Sequence, residues 1–324
     1  MPQMTYLEAI SDALRFEMQR DESVFLIGED IGPYGGAFKM TKGFIQEFGA
    51  KRVIDAPISE AAIVGAAIGA AMNGMRPVAE MQFMDFVTNG FNQLANVAGT
   101  TAYRWGMAVP MVVRGPSGGG VGGGPFHSRN SEAWFAHTPG IKVVCPAFPA
   151  DAKGLMLASI RDNNPVVYYE HKGLYRKIKE DVPEGDYVVP LGKANVVREG
   201  KDATIVSYGS AVHMALAAAE ELSKLGSEVE VIDIRTLVPF DEETVLKSVM
   251  KTNRVCIAHE ATLTAGFGGE IAARIADKAF EYLDAPIKRV AAFDSVTPFA
   301  PTLEKAVLPN EGTILKAMKE LLEY

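Results

Sequence analysis

Residues 55–74 read DAPISEAAIVGAAIGAAMNG. A proline and a Ser-Glu pair are followed by a run built almost wholly of Ala, Gly, Ile and Val. Ser59 has the chemistry of an N-cap, and a carboxylate in the first turn complements the positive end of a helix. Glu60 is therefore expected at a helix start, with an apolar helix behind it. Ala61, Gly65 and Gly69 recur every four residues and leave one face nearly bare. Each helical glycine costs about 1 kcal/mol relative to alanine, so so thin a helix suits the close approach of another backbone. Two readings follow: a packed core helix with an acidic cap, or a carboxylate held at the edge of a subunit or cofactor contact.

Working outward, short apolar runs alternate with helical stretches. VFLIGED (24–30), RPVAEMQF (76–83), PMVVRGPS (110–117), IKVVCPA (141–147) and PVVYYEHK (165–172) read as strands. Helices are expected at about 5–20, 89–105 and 150–161. The segment IGPYGGAFKMTKGF, with its glycines and weak periodicity, reads as a surface excursion. Continuous Val/Ile runs between helices indicate a parallel sheet covered on both faces. Ligands of such sheets bind beyond the carboxyl ends of the strands. Here those ends carry Glu29, Asp30, Gln82, Arg114 and Glu170.

From about 178 to 199 the pattern breaks into a connection rich in Lys, Glu, Asp and Pro. A second alternation follows, with ATIVSYG, EVEVIDI, RVCIAHE and IKRVAAFD as strands and GTILKAMKELLEY as a closing helix. The expected fold class is α/β, with two three-layer parallel-sheet domains at 1–180 and 200–324 and a linker at 181–199. A length of 324 residues agrees with two cores.

Composition narrows the function classes. The 40 acidic and 32 basic residues leave a net charge of −8, which disfavours a broad nucleic-acid surface. Cys145 and Cys256 lie inside apolar runs without metal or redox spacing and read as buried thiols of a reducing compartment. The start, MPQMTYLEAISDALRFEMQRDE, is an amphipathic helix and not a targeting signal. The most apolar window, 61–72, is too short to span a bilayer. A cytoplasmic, soluble protein is expected.

GGGVGGG (118–124) has the composition of a phosphate loop but lacks the Gly-Lys-Ser/Thr that would complete it. It delivers His127 in a glycine-flanked loop, a placement suited to proton transfer as well as to a plain surface histidine. His137 reads as structural. His259-Glu260 reads as a pair supporting a loop or an interface. No zinc spacing, G-x-S-x-G or G-x-G-x-x-G after the first strand is present.

The run ISEAAIVGAAIGAAMNGMRPVAEMQF resembles the beta subunit of thiamine-diphosphate-dependent 2-oxo acid dehydrogenases. The likeness continues through RGPSGGGVGGGPFHSRNSEAWFAHTPGIKVV, DAKGLMLASIRDNNPVVYYEHKGLYR, VEVIDIRTLVPFD and VCIAHEATLTAGFGGE, essentially the whole chain. It implies a transketolase-like pyrimidine-binding domain followed by a transketolase C-terminal domain. It implies oxidative decarboxylation of a 2-oxo acid and reductive acylation of a lipoyl group on an acyltransferase core. By the same resemblance Glu60 faces the aminopyrimidine of thiamine diphosphate, favouring the tautomer that deprotonates the thiazolium carbon, and the cofactor acts as electron sink. Phe86 packs on the pyrimidine, Gln82 lies beside it, Glu29 is a further acid near the cofactor, and His127 assists acyl transfer. Met111, Ser159, Ile160, Asp162 and Asn164 fall on a potassium loop that coordinates mainly through backbone carbonyls.

The chain lacks the Gly-Asp-Gly motif through which thiamine enzymes hold the diphosphate and magnesium; its one Gly-Asp is Gly185-Asp186-Tyr187. The resemblance therefore implies an alpha subunit that supplies that half, in a heterotetramer of two alpha and two beta chains. Gln82 and GLYR favour branched-chain substrates, with pyruvate or acetoin as alternatives. Transketolase-type transfer and a non-enzymatic scaffold that docks the acyltransferase are the rival readings.

Overall fold

The computed structural model describes residues 1–324. Its contacts divide the chain into two compact units. One comprises Met1–Ser117 with Trp134–Leu191, and the other Gly118–Ala133 with Gly192–Tyr324.

The first unit opens with β1 (Gln3–Thr5) and α1 (Tyr6–Arg20). Thr5 and Glu8 exchange hydrogen bonds with each other's backbone in a capping box, satisfying donors that a helix start otherwise leaves open. The core strands are β2 (Val24–Glu29), β3 (Val53–Ala56), β4 (Arg76–Glu80), β5 (Val112–Ser117), β6 (Lys142–Val144) and β7 (Val166–His171), with β8 (Lys179–Asp181) pairing antiparallel to β1. Strand order in this unit is β6-β7-β5-β4-β2-β3, parallel throughout. β2, β5 and β7 are buried along their whole length, as continuous apolar strands covered on both faces must be. α1 and α6 (Pro149–Arg161) pack one face, where Tyr6, Ile10, Leu14, Leu155, Met156 and Tyr168 form the centre of the core.

Several local expectations change. The segment after β2 is no surface excursion: Ile31, Met40 and Phe44 are buried, and it runs into a short helix, α2 (Phe44–Phe48). Its apolar residues stand too far apart to show a period, and tertiary burial orders them. The helix expected over 89–105 is three pieces: a 3-10 turn at Met84–Gly90, a π-helical stretch at Gln93–Ala98, and α4 (Gly99–Trp105). Arg114 and Glu170 do not line a ligand edge. Arg114 is 2% exposed and ion-paired to both Glu80 and Glu170, with Tyr175 Oη donating to Glu170 at 2.6 Å. This is a closed buried network.

The segment Glu132–Ala136 forms a short helix, α5. The second unit holds β9 (Asn195–Arg198), β10 (Ala203–Ser207), β11 (Val229–Asp233), β12 (Thr236–Val238), β13 (Val255–Thr262) and β14 (Lys288–Ala292). Its five-stranded sheet runs β14-β13-β10-β11-β9, with only β9 antiparallel. Residues 195–198 of the expected linker are thus a sheet edge. The helices are α7 (Ser210–Lys224), α8 (Glu242–Thr252), α9 (Phe267–Lys278), α10 (Pro301–Val307) and α11 (Glu311–Leu322). Cys145 and Cys256 are both buried, and burial pushes the Cys256 thiol up to about 12.

Candidate functional site

In the first unit, α3 (Glu60–Met72) begins at Glu60, as its sequence requires. Ser59 does not cap it. Its hydroxyl makes no bond to the helix amides and lies 3.4 Å from the Pro57 carbonyl oxygen. Ser59 instead lies beside Glu29, the last residue of β2. Glu29 and Glu60 are both buried, at 5% and 8% exposure. Burial, and then the neighbouring Glu60 carboxylate, push Glu29 above the usual carboxylate range. Glu29 Oε1 is buried without a hydrogen-bond partner, a costly arrangement for a polar atom unless a ligand group completes it.

Asn89 Nδ2 donates to Glu60 Oε2 at 3.1 Å. Asp30, held at a left-handed φ of 57°, accepts from Gln82 Nε2 at 3.2 Å. Phe86 is half-buried and meets Phe83 edge-to-face at 6.1 Å, and Phe83 in turn meets Phe38 at 5.7 Å. These contacts tie the segment that ends β2 to the one carrying Gln82, and the segment carrying Phe86 to the start of α3. Glycine is required where this structure closes: a Cβ on Gly90 would stand 2.7 Å from Val64 Cγ2 of α3.

Met111 and residues 159–164 gather at the other end of the same sheet, before β5 and β7 begin. Met111 O accepts the Val166 amide at 2.9 Å, and Arg76 Nη1 donates to Ile160 O at 2.9 Å and Asp162 O at 3.0 Å. Ser159 turns its hydroxyl onto Leu155 O at 2.6 Å. The Asp162 carboxylate binds Lys142 and the Asn164 amide. Burial raises Asp162, but Lys142 and Asn164 outweigh it and hold the group below its ordinary range. Arg76 uses one lone pair of each carbonyl it meets, so the second lone pairs remain for a cation.

His127 belongs to the second unit. Its amide closes a turn on Gly124 O at 3.3 Å. The glycine run before it meets no phosphate cradle: Gly120 and Gly122 donate to Glu304, and Gly119 donates to Glu260. His259 is fully buried, stacked on Tyr208 with ring centroids 5.8 Å apart, and burial lowers it to about 4. It is a neutral core residue, while Glu260 is the partner that supports a loop. The sequence points to Glu260 only as a neighbour of His259, and it marks neither Asn89 nor Glu304. No local signal marks Glu304, whose partners lie about 180 positions away.

The family model for the transketolase pyrimidine binding domain matches residues 2–177, and that for the transketolase C-terminal domain matches 192–314. The chain is 48% identical to the 2-oxoisovalerate dehydrogenase subunit beta of Bacillus subtilis (strain 168), over all of both chains. It belongs to the beta subunits of the 2-oxo acid dehydrogenase E1 components. A second member, the pyruvate dehydrogenase E1 component subunit beta of Staphylococcus epidermidis (strain ATCC 12228 / FDA PCI 1200), is 47% identical over all of both chains. A solved structure described as a split gene transketolase, an inactive beta4 tetramer, is similar with a TM-score of 0.83, 22% identity and 99% coverage of each chain. That likeness shows the two-domain transketolase fold. No helix is long and apolar enough to cross a membrane.

Proposed function

We propose that this beta subunit forms, with an alpha subunit, a thiamine-diphosphate site that decarboxylates a 2-oxo acid and passes the acyl group to a lipoyl group on an acyltransferase core. The observation that carries the reading is the buried Glu29–Glu60 pair, with Glu29 Oε1 lacking a partner. The donor set fits the pyrimidine end of the cofactor: Glu60 holds and moves a proton at a ring nitrogen, Glu29 and Gln82 line the same segments, and Phe86 offers an aromatic face. Thiamine diphosphate, when bound, supplies the electron sink for decarboxylation. His127 supplies a proton at the lipoyl sulfur. Magnesium and the diphosphate belong to the alpha subunit, since this chain has no Gly-Asp-Gly. Potassium at the carbonyls of Met111, Ser159, Ile160 and Asp162, with Asn164 on the same loop, steadies the strand ends.

Within the family we favour branched-chain 2-oxo acids, because Gln82 and GLYR match that type. Pyruvate is the second reading, supported by the 47% identical relatives. The assembly is a heterotetramer of two alpha and two beta chains in the cytoplasm. The test is calorimetric titration of thiamine diphosphate and magnesium. The chain alone binds negligibly, and the co-expressed alpha-beta complex binds and releases CO2 faster from a branched 2-oxo acid than from pyruvate. Tight binding by the chain alone overturns the shared site.

A further inference from the structure

The loop that carries His127 is fastened by two buried carboxylates far away in sequence. Glu304, in the first turn of α10 and 5% exposed, accepts the Gly120 amide on Oε1 at 2.9 Å and the Gly122 amide on Oε2 at 3.1 Å. Glu260, in β13 and 6% exposed, accepts the Gly119 amide and Asn130 Nδ2 on Oε1 at 2.6 and 2.9 Å, and the Ser210 hydroxyl on Oε2 at 2.8 Å.

The loop is shaped for this. Gly118, Gly120, Gly122 and Gly124 have φ of 80°, 79°, 71° and 69°. Backbone that dips repeatedly into the left-handed region can turn its N–H groups towards a single anion, the arrangement that elsewhere cradles phosphate. Here the anion is a side chain of the same chain. Sterics fix the register as well: a Cβ on Gly119 would lie 2.6 Å from Leu308 Cδ1, and one on Gly124 2.2 Å from the Phe299 ring.

We infer that Glu304 and Glu260 are positioning residues that hold His127 in the orientation needed for acyl transfer; this rests on the function proposed above for His127. In that transfer a 2-oxo carboxylate, a lipoyl disulfide and one proton yield CO2, an acyl thioester and a thiol. The electron pair left by CO2 breaks the S–S bond, one sulfur gains the acyl carbon, and His127 supplies the proton to the other. A glycine-rich backbone has the largest freedom to lose, so without its anion the loop spreads over many conformations. A misplacement of about 1 Å is enough to cost on the order of 10²-fold in rate.

The experiment uses the alpha-beta complex and follows two reactions, decarboxylation with a soluble dye as electron acceptor and acyl transfer to a free lipoyl domain. Glu304→Ala lowers transfer by about tenfold or more while dye-linked decarboxylation stays within about threefold. Glu304→Gln, which keeps one acceptor oxygen, falls between, and Glu260→Gln follows it. Combining Glu304→Ala with His127→Asn is no worse than His127→Asn alone, as expected when one residue acts through the other. Hydrogen exchange at the Gly120 and Gly122 amides accelerates in the Glu304 variants. Normal transfer by Glu304→Ala, or losses that multiply with those of His127→Asn, overturns the positioning role. Normal transfer by His127→Asn instead overturns the function assigned to that histidine, and this inference with it.

Discussion

Asn89 Nδ2 donates to Glu60 Oε2 at 3.1 Å, and this bond sets the direction of the carboxylate at the start of α3. Glu60→Gln keeps the shape and removes the proton transfer. It lowers decarboxylation by the alpha-beta complex by roughly 10²-fold or more, the range for losing a general acid-base group. Asn89→Ala leaves the carboxylate in place but free to rotate, and its loss is smaller than that of Glu60→Gln. Steady-state CO2 release checks both. A Glu60→Gln complex within a few-fold of wild type contradicts the role of Glu60.

Glu29 binds its proton more tightly when folded than when unfolded, because burial and Glu60 disfavour its charge. Stability from such a group is fully present below its unfolded value near 4.5 and is lost as pH rises through the raised folded value. Glu29→Gln removes this loss. The isolated variant should gain in Tm over wild type at pH 7 and gain little at pH 4. Equal shifts at both pH values refute the assignment.

The Arg114 network has the opposite character. Burial opposes the charges, yet Glu170 and Glu80 hold Arg114 well above its ordinary value, so the guanidinium stays ionised inside the core. Arg114→Met strands two buried carboxylates. The first unit is destabilised by about 3–5 kcal/mol, the usual cost of removing one partner of a buried ion pair. Urea unfolding followed by near-ultraviolet dichroism measures it, and a midpoint unchanged from wild type argues against a closed network.

Gly69 is exposed, and a Cβ placed on it meets nothing within 4 Å; one on Gly65 meets only Gln93 Cγ, at 4.0 Å. The thin face of α3 is not consumed by this chain's own core. Gly69→Leu therefore leaves the isolated chain folded with an equal or higher Tm, since leucine favours helix over glycine by somewhat under about 1 kcal/mol. Co-purification with the alpha subunit drops sharply. Full retention of the partner would mean that no subunit sits against this face.

Much of this architecture is written locally. Val/Ile runs such as 112–113 and 166–167 make parallel strands because a strand buried on both faces needs apolar residues at every position. The start of α3 at Glu60 is where the first-turn carboxylate and apolar run predict it, although Ser59 does not cap it, and the motifs around Glu60, Gln82 and Phe86 mark the family. What stayed illegible depends on partners distant in sequence. Arg114 and Glu170, at strand ends where ligands commonly bind, are instead 56 positions apart and closed on each other. Ile31, Met40 and Phe44 look like loop residues until the core covers them.

The stretch 55–74 by itself determined a thin apolar helix with a carboxylate at its head, because helix formation and first-turn charge are decided within a few residues. Only tertiary structure decided that the Ser59 hydroxyl lies near the Pro57 carbonyl oxygen rather than capping the helix, and that Asn89 reaches Glu60. It alone decided that the glycine run closes on Glu304 instead of a phosphate. A hydrogen bond between residues 29 or 182 positions apart has no local signature, since it forms only when the packed strands and helices bring donor and acceptor within reach.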